Sequence, residues 1–221
     1  LAATGTDESV AYLQQTWEKE KSAEALEALK KSNNYKAAAP LLKAANAGDE
    51  DALAKYVGLV NRYETNMDNR SARLISAISQ AKSNNGKANV INALSNTPTR
   101  NAFLTVGKYL DDKGVSYQAA VAEKNILKQT QEDIEYDIVK ENMTKAINIY
   151  QAHGTADDGY AVDEIKKMLA EMQPSPIFTL SDEEKKQGFE ILFDGTNLDK
   201  WTGNKVGYVP INGCSYVTAN Y

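Results

Sequence analysis

Proton-transfer chemistry near neutral pH depends first on histidine, and this chain has one, His153. A two-histidine catalytic pair or a histidine-based metal site therefore cannot be assembled from it. His153 stands immediately before Gly154, the signature of a helix C-terminus, where a protonated imidazole would complement the helix dipole. A structural role is expected for it. Cys214 is the only cysteine, which rules out an intramolecular disulfide and a cysteine-based metal site. Neither a metal nor a cofactor is expected.

Carboxylates are plentiful. Glu132, Asp133, Glu135 and Asp137 crowd one segment, and Asp157 and Asp158 open another. Glycoside cleavage needs two carboxyl groups facing each other across a cleft with separated pKa values. Glu132 and Glu135 share a helix face, but the text supplies no opposing partner, so a solvated acidic face is the expectation. Asp157 and Asp158 read as negative charge at the start of a helix. No glycine-rich phosphate loop, nucleophile elbow or zinc spacing is present. The 12 tyrosines include Tyr35, Tyr56, Tyr63, Tyr109, Tyr117, Tyr136, Tyr150 and Tyr160 in the first three quarters of the chain. Tyrosine suits both recognition surfaces and helix seams, and packing is expected for most of them.

The elements that must position these groups are mainly helices. From Asp7 to Met172, apolar residues recur at three- and four-residue spacing among Ala, Leu, Lys and Glu. Polar clusters such as Ser32-Asn33-Asn34, Ala47-Gly48-Asp49, Ser83-Asn84-Asn85-Gly86 and Asp111-Asp112-Lys113-Gly114 punctuate the pattern. The predicted helices span about 7–31, 35–46, 50–64, 68–82, 87–95, 99–111, 116–129, 132–152 and 159–172. Asp49, Asp68 and Thr99 are the expected N-caps, and Pro40 should kink its helix. Short turns between Ala- and Leu-rich helices describe a right-handed α-solenoid of antiparallel pairs over residues 1–173. HEAT-like repeats fit this texture, and tetratricopeptide repeats are the competing description, although no constant period is kept.

The texture changes at Gln173-Pro-Ser-Pro-Ile177, an extended connector. Within a linker over 174–188, Ser181 and Glu184 form a capping box. Over 189–221, Phe189–Phe193, Tyr208–Ile211 and Ser215–Thr218 are strand candidates, the last two flanking an Asn212-Gly213 turn. Leu180, the Ser181/Glu184 pair, Gly188-Phe189, Leu192-Phe193-Asp194-Gly195, Leu198 and Trp201-Thr202-Gly203 together resemble the opening of the 3-keto-disaccharide hydrolase family.

That resemblance implies a concanavalin-like β-sandwich of which only the beginning lies within these 221 residues. It implies 3-keto-glycosides as substrates, cleaved by removal of the acidified proton beside the ketone and loss of the aglycone. The residues for that step would lie in the rest of the sandwich. No catalytic or substrate-binding position is assigned in this chain, whose own part is expected to be non-catalytic. Asp194-Gly195 would form a tight turn, and Trp201 would fill the sandwich core.

Composition sets the remaining bounds. A hydrophobic share of 42% and a charged share of 25% are those of a globular chain. The net charge of -5 disfavours nucleic acid and anionic membrane surfaces, and no apolar run could span a bilayer. A start at Leu1 and family relatives that carry signal peptides point to a periplasmic or extracellular setting. The expected partners are a protein on the concave face of the solenoid and carbohydrate for the whole parent protein. A homodimer through the C-terminal β segment is also expected. The alternative function is a protein-binding solenoid unconnected with carbohydrate.

Overall fold

The computed structural model describes residues 5–172, 179–193, 197–202, 205, 208–211 and 214–217. The chain is mostly helical, as its periodicity requires. Helices α1 (Asp7–Glu20) and α2 (Ala23–Lys31) replace the single helix expected over 7–31. Lys21 adopts a left-handed φ of 56°, and the Ser22 hydroxyl accepts from Ala25 N at 3.2 Å to start α2. Every residue around the break is a good helix former except Ser22, so only its capping ability marks the boundary.

A 3-10 turn at Tyr35–Ala37 leads into α3 (Ala38–Asn46). Pro40 therefore lies in the first turn of α3, a position that tolerates a missing N–H, and the kink expected there is not needed. Asp49 caps α4 (Glu50–Tyr63) through Ala52 N at 2.9 Å. Helix α5 (Met67–Ile78) is capped by Asn66, whose Oδ1 accepts from Asn69 N at 2.9 Å, and not by Asp68. Asp68 sits inside the first turn instead, where its charge favours the dipole. Helix α6 (Asn84–Leu94) begins within a cluster expected to be a break. Ser83 Oγ accepts from Gly86 N at 2.9 Å, and Glu50 Oε1 accepts from the N–H groups of Lys82 and Ser83 at 3.1 and 3.0 Å.

Thr99 caps α7 (Arg100–Gly107), which ends four residues short of the expected 111. Then follow α8 (Ser116–Thr130), a 3-10 turn at Gln131–Asp133, α9 (Tyr136–His153) and α10 (Ala156–Glu171). The buried residues form one continuous cluster from Val10 to Met172, with Phe103, Leu94, Ile126 and Met143 fully enclosed. Burying a side chain of this size contributes about 1.5–3 kcal/mol. Each substantial seam between these helices joins partners one or two steps apart in the chain. Besides sequential contacts, α2, α4, α6, α8 and α10 stack on one another in order. Ala119, Ala120 and Ala122 are fully buried on α8 and let its neighbours approach closely.

Beyond α10, α11 (Asp182–Lys186) is opened by the expected capping box: Ser181 N–H donates to Glu184 Oε2 at 2.8 Å, and Glu184 N–H to Ser181 Oγ at 3.3 Å. Strands β1 (Tyr208–Ile211) and β2 (Cys214–Val217) pair antiparallel, with Tyr208 opposite Val217 and Ile211 opposite Cys214. The second strand starts one residue before the expected Ser215, and the Asn212-Gly213 turn lies outside the described residues. Phe189–Phe193 is not a strand. A strand needs a hydrogen-bonding partner, and among the described residues none lies alongside. Nor are its large side chains all covered within the single chain: Phe189 is 60% and Leu192 63% exposed.

Candidate functional site

His153 closes α9, and Gly154 takes the left-handed φ of 78° that lets the chain turn into α10. Thr155 then caps α10 in a reciprocal box with Asp158: the Asp158 N–H reaches Thr155 Oγ1, and Asp158 Oδ2 accepts from Thr155 N at 2.8 Å. The same Oδ2 lies 2.7 Å from His153 Nδ1 and accepts from the Thr155 hydroxyl at 2.7 Å. From α8, the Tyr117 hydroxyl donates to Asp158 Oδ1 at 2.9 Å, and the Tyr117 ring stacks on the imidazole at 4.0 Å. Tyr150 meets Tyr117 edge-on at 5.7 Å.

Asp158 is buried, yet its carboxyl is held below the usual aspartate range. Burial opposes ionisation, and the donors from Thr155, His153 and Tyr117 together outweigh it. Burial, helped by the nearby Tyr117 and Asp158, pushes the Tyr150 phenol up. The imidazole and carboxylate resemble the base and orienting acid of a catalytic triad. A triad, however, needs a hydroxyl or thiol on the far side of the imidazole. Here the hydroxyls of Thr155 and Tyr117 both donate to Asp158, so neither is poised on His153. The arrangement ties α8, α9 and α10 together.

The Glu132 side chain lies outside the described residues, and Asp133, Glu135, Asp137 and Asp157 do not join the cluster. Asp133 and Asp137 are exposed, and Glu135 pairs with Arg100 at 2.6 Å, linking the starts of α7 and α9. Asp157 lies in the first turn of α10, as its position in the text implied. Trp201 is half-buried, with the rings of Phe193 and Tyr208 each at 6.0 Å. Asp194 and Gly195 lie outside the described residues. Among the described residues, no group of three or more His, Cys, Asp or Glu could hold a metal ion, and no helix is long and apolar enough to cross a membrane.

Two features were not expected from the sequence. The first is Glu123 on α8, fully buried. Its Oε2 accepts from Asn142 Nδ2 on α9 at 3.0 Å, and the Gly107 backbone N–H at the end of α7 also donates to the carboxyl. Oε1 is buried without a partner. Burial drives this carboxyl well above the ordinary glutamate value, more strongly than the two donors lower it. A Cβ at Gly107 would fall on the Asn142 amide, which would have to move to admit one.

The second is a groove of about 400 Å³ lined by residues of α1, the 3-10 turn, α3, α4 and α5. Tyr35, Ala38, Ala39 and Leu42 form its apolar wall over the buried Tyr56. Asp7, Asn34, Lys36 and Arg73 supply its polar groups. The Arg73 guanidinium lies 5.8 Å from the centre of the Tyr35 ring, and its Nε donates to Glu64 Oε2 at 3.1 Å.

Compared with known protein families, curated proteins and solved structures, the chain matches none of them.

Proposed function

We propose that residues 7–172 are a docking module, a right-handed α-solenoid of HEAT-like helix pairs, joined to the opening of a β-sandwich that hydrolyses 3-keto-glycosides outside the cytoplasm. The observation that carries the docking half is the packing pattern. Seams between helices one or two steps apart are those an extended array makes, whereas a closed bundle also joins helices far apart in the chain, and such arrays present long surfaces to partners. The carbohydrate half is supported by the motif from Leu180 to Gly203 alone.

The module itself is non-catalytic in this reading. The imidazole–carboxylate pair has no nucleophile poised on it, and Glu123, whose carboxyl burial pushes well above the ordinary range, is enclosed in the core. Small-angle scattering tests the array. A closed domain of this size would have a radius of gyration of about 15 Å, and a value near that would overturn the solenoid. The hydrolase half is tested with protein expressed from the reading frame continued past Tyr221. Turnover of a 3-keto-disaccharide by that protein, and none by residues 1–221, is the expected result. No turnover by either would refute it.

A further inference from the structure

We propose that the outward face of α6, with the neighbouring edges of α4 and α8, holds an extended segment of another polypeptide by its backbone. The inference deepens the docking half of the proposed function and rests on it for the class of partner. The residue types on α6 are the first argument. Asn85, Asn89, Asn92 and Asn96 recur at intervals of four, three and four, so they form one stripe along the helix. Gly86, Val90, Ala93 and Leu94 are buried on its other side. In a chain whose charged share is 25%, this stripe carries no charge at all. The one lysine of α6, Lys87, is drawn off to Asp112 at 2.7 Å. Asparagine is a poor choice for the middle of a helix, because its side chain competes for backbone hydrogen bonds. Nothing within the fold offsets that disadvantage. Among the described residues the side chains of Asn85, Asn89 and Asn92 make no hydrogen bond, and Asn96 reaches only the Asn92 backbone oxygen, at 3.3 Å.

The flanks are the second. Asn125 Nδ2 donates to Ser95 Oγ at 3.0 Å, which sets the α8 row of Gln118, Asn125 and Gln129 beside the stripe. These are amides again, and the Asn125 bond leaves its Oδ1 free of any partner among the described residues. On the other flank, the Glu50 carboxylate accepts from the N–H groups of Lys82 and Ser83, so the α4 row that continues through Ala54 and Gly58 borders α6. Both residues are exposed, and a Cβ at Gly58 would meet nothing within 4 Å. Amides therefore line one side of the stripe, and low open ground lies on the other, where a main chain has room to settle.

Chemistry selects the occupant. A side-chain amide carries donor and acceptor together, the complement of a peptide group, whose C=O accepts and whose N–H donates. Along the helix the asparagines follow one another about every 5.5 Å, and an extended chain inclined to that axis brings its own groups, about 6.7 Å apart on one side, into step. An anionic ligand would find no cation in these rows, and their one charged group, Glu50, is engaged at the start of α6. A sugar would find no aromatic ring in them to stack on.

A displayed library of random peptides about ten residues long, selected against the whole chain, supplies the probe. Enriched peptides, made afresh and titrated by calorimetry, should bind equally well at low and at physiological salt, since no charges are paired. Methylating alternate backbone nitrogens keeps every side chain but removes donors, and should weaken binding about tenfold or more. Asn89→Ala combined with Asn92→Ala should weaken it by a similar factor while circular dichroism shows helix content kept or raised, because alanine is the better helix former. Asn89→Gln with Asn92→Gln keeps the amides and should lose less. Cellotetraose, the comparison ligand, should not bind. The proposal is overturned by a library that yields no enriched peptide, by binding that survives either the methylation or the alanine pair, by binding that fades with salt, or by cellotetraose binding that the alanine pair abolishes. Scattering tests the extended array separately, so peptides that bind regardless of the alanine pair would remove this face and leave the docking reading in place.

Discussion

Replacing Glu123 by glutamine should stabilise the protein at neutral pH and do little in acid. The native state holds the Glu123 proton through a pH range in which the unfolded chain, near the ordinary value of 4.5, has released it. Stability from this group is therefore complete below about pH 4.5 and is lost as pH rises towards the elevated native value. Each pH unit across that interval costs about 1.4 kcal/mol, and the loss stops growing once the native carboxyl itself ionises. Glutamine keeps the oxygen that accepts from Asn142 and Gly107 and removes the titration. Its amide group enters the same partnerless position as Oε1, a burden of about 1–3 kcal/mol that the protonated acid carries as well. The two burdens nearly cancel in acid and leave the titration as the difference. Urea unfolding of both proteins between pH 4 and 7.5 should show the variant gaining about 1–3 kcal/mol over wild type as pH rises. A gap that does not change with pH, or a variant less stable at pH 7, would refute the reasoning.

Gly107→Ala should destabilise by about 1–3 kcal/mol, measured by the same unfolding, because the new methyl displaces Asn142 and with it a donor to Glu123. An unchanged midpoint would mean that the seam yields freely. Asp158→Asn should lower the thermal midpoint at neutral pH, since it weakens the bonds from His153, Thr155 and Tyr117. Because the wild-type carboxyl is held below the ordinary 3.8, its stabilisation is present above that value and disappears as pH falls beneath it. The midpoints of the two proteins should therefore converge in strong acid, and parallel curves would count against the assignment.

What could be read in advance was local. Asp49 and Thr99 announce their helices because a short side-chain oxygen before an apolar period has one favourable use. The break at Lys21 gave no such warning, since lysine is an ordinary helix former and its left-handed conformation is imposed by where α2 must pack. At Asp68 the signal was ambiguous, with Asn66 two residues earlier offering an equivalent oxygen. Glu123 was in principle legible: it falls four residues after Ala119 and three before Ile126, on the apolar stripe of α8. The Arg73 groove was not, because Asp7, Tyr35 and Arg73 meet only through tertiary packing. The partner of His153 was half legible. The Thr155–Asp158 box has the spacing of a helix start, whereas Tyr117 comes from another helix, 41 residues before Asp158.

Seams that reach only one or two helices along the chain also govern how the protein is made and how it comes apart. Contacts between residues close in sequence require little loop closure before they are rewarded, so such a chain can fold quickly from more than one starting place. Opening need not be all-or-none either. Helix α10 is held chiefly by α9 and, more sparely, by α8, so it can detach while α4 and α6 remain packed. Amide exchange would then be graded from fast in α10 to slow around Leu53, Leu74 and Ile91, and the Asp158 cluster would act as the latch that delays the first step.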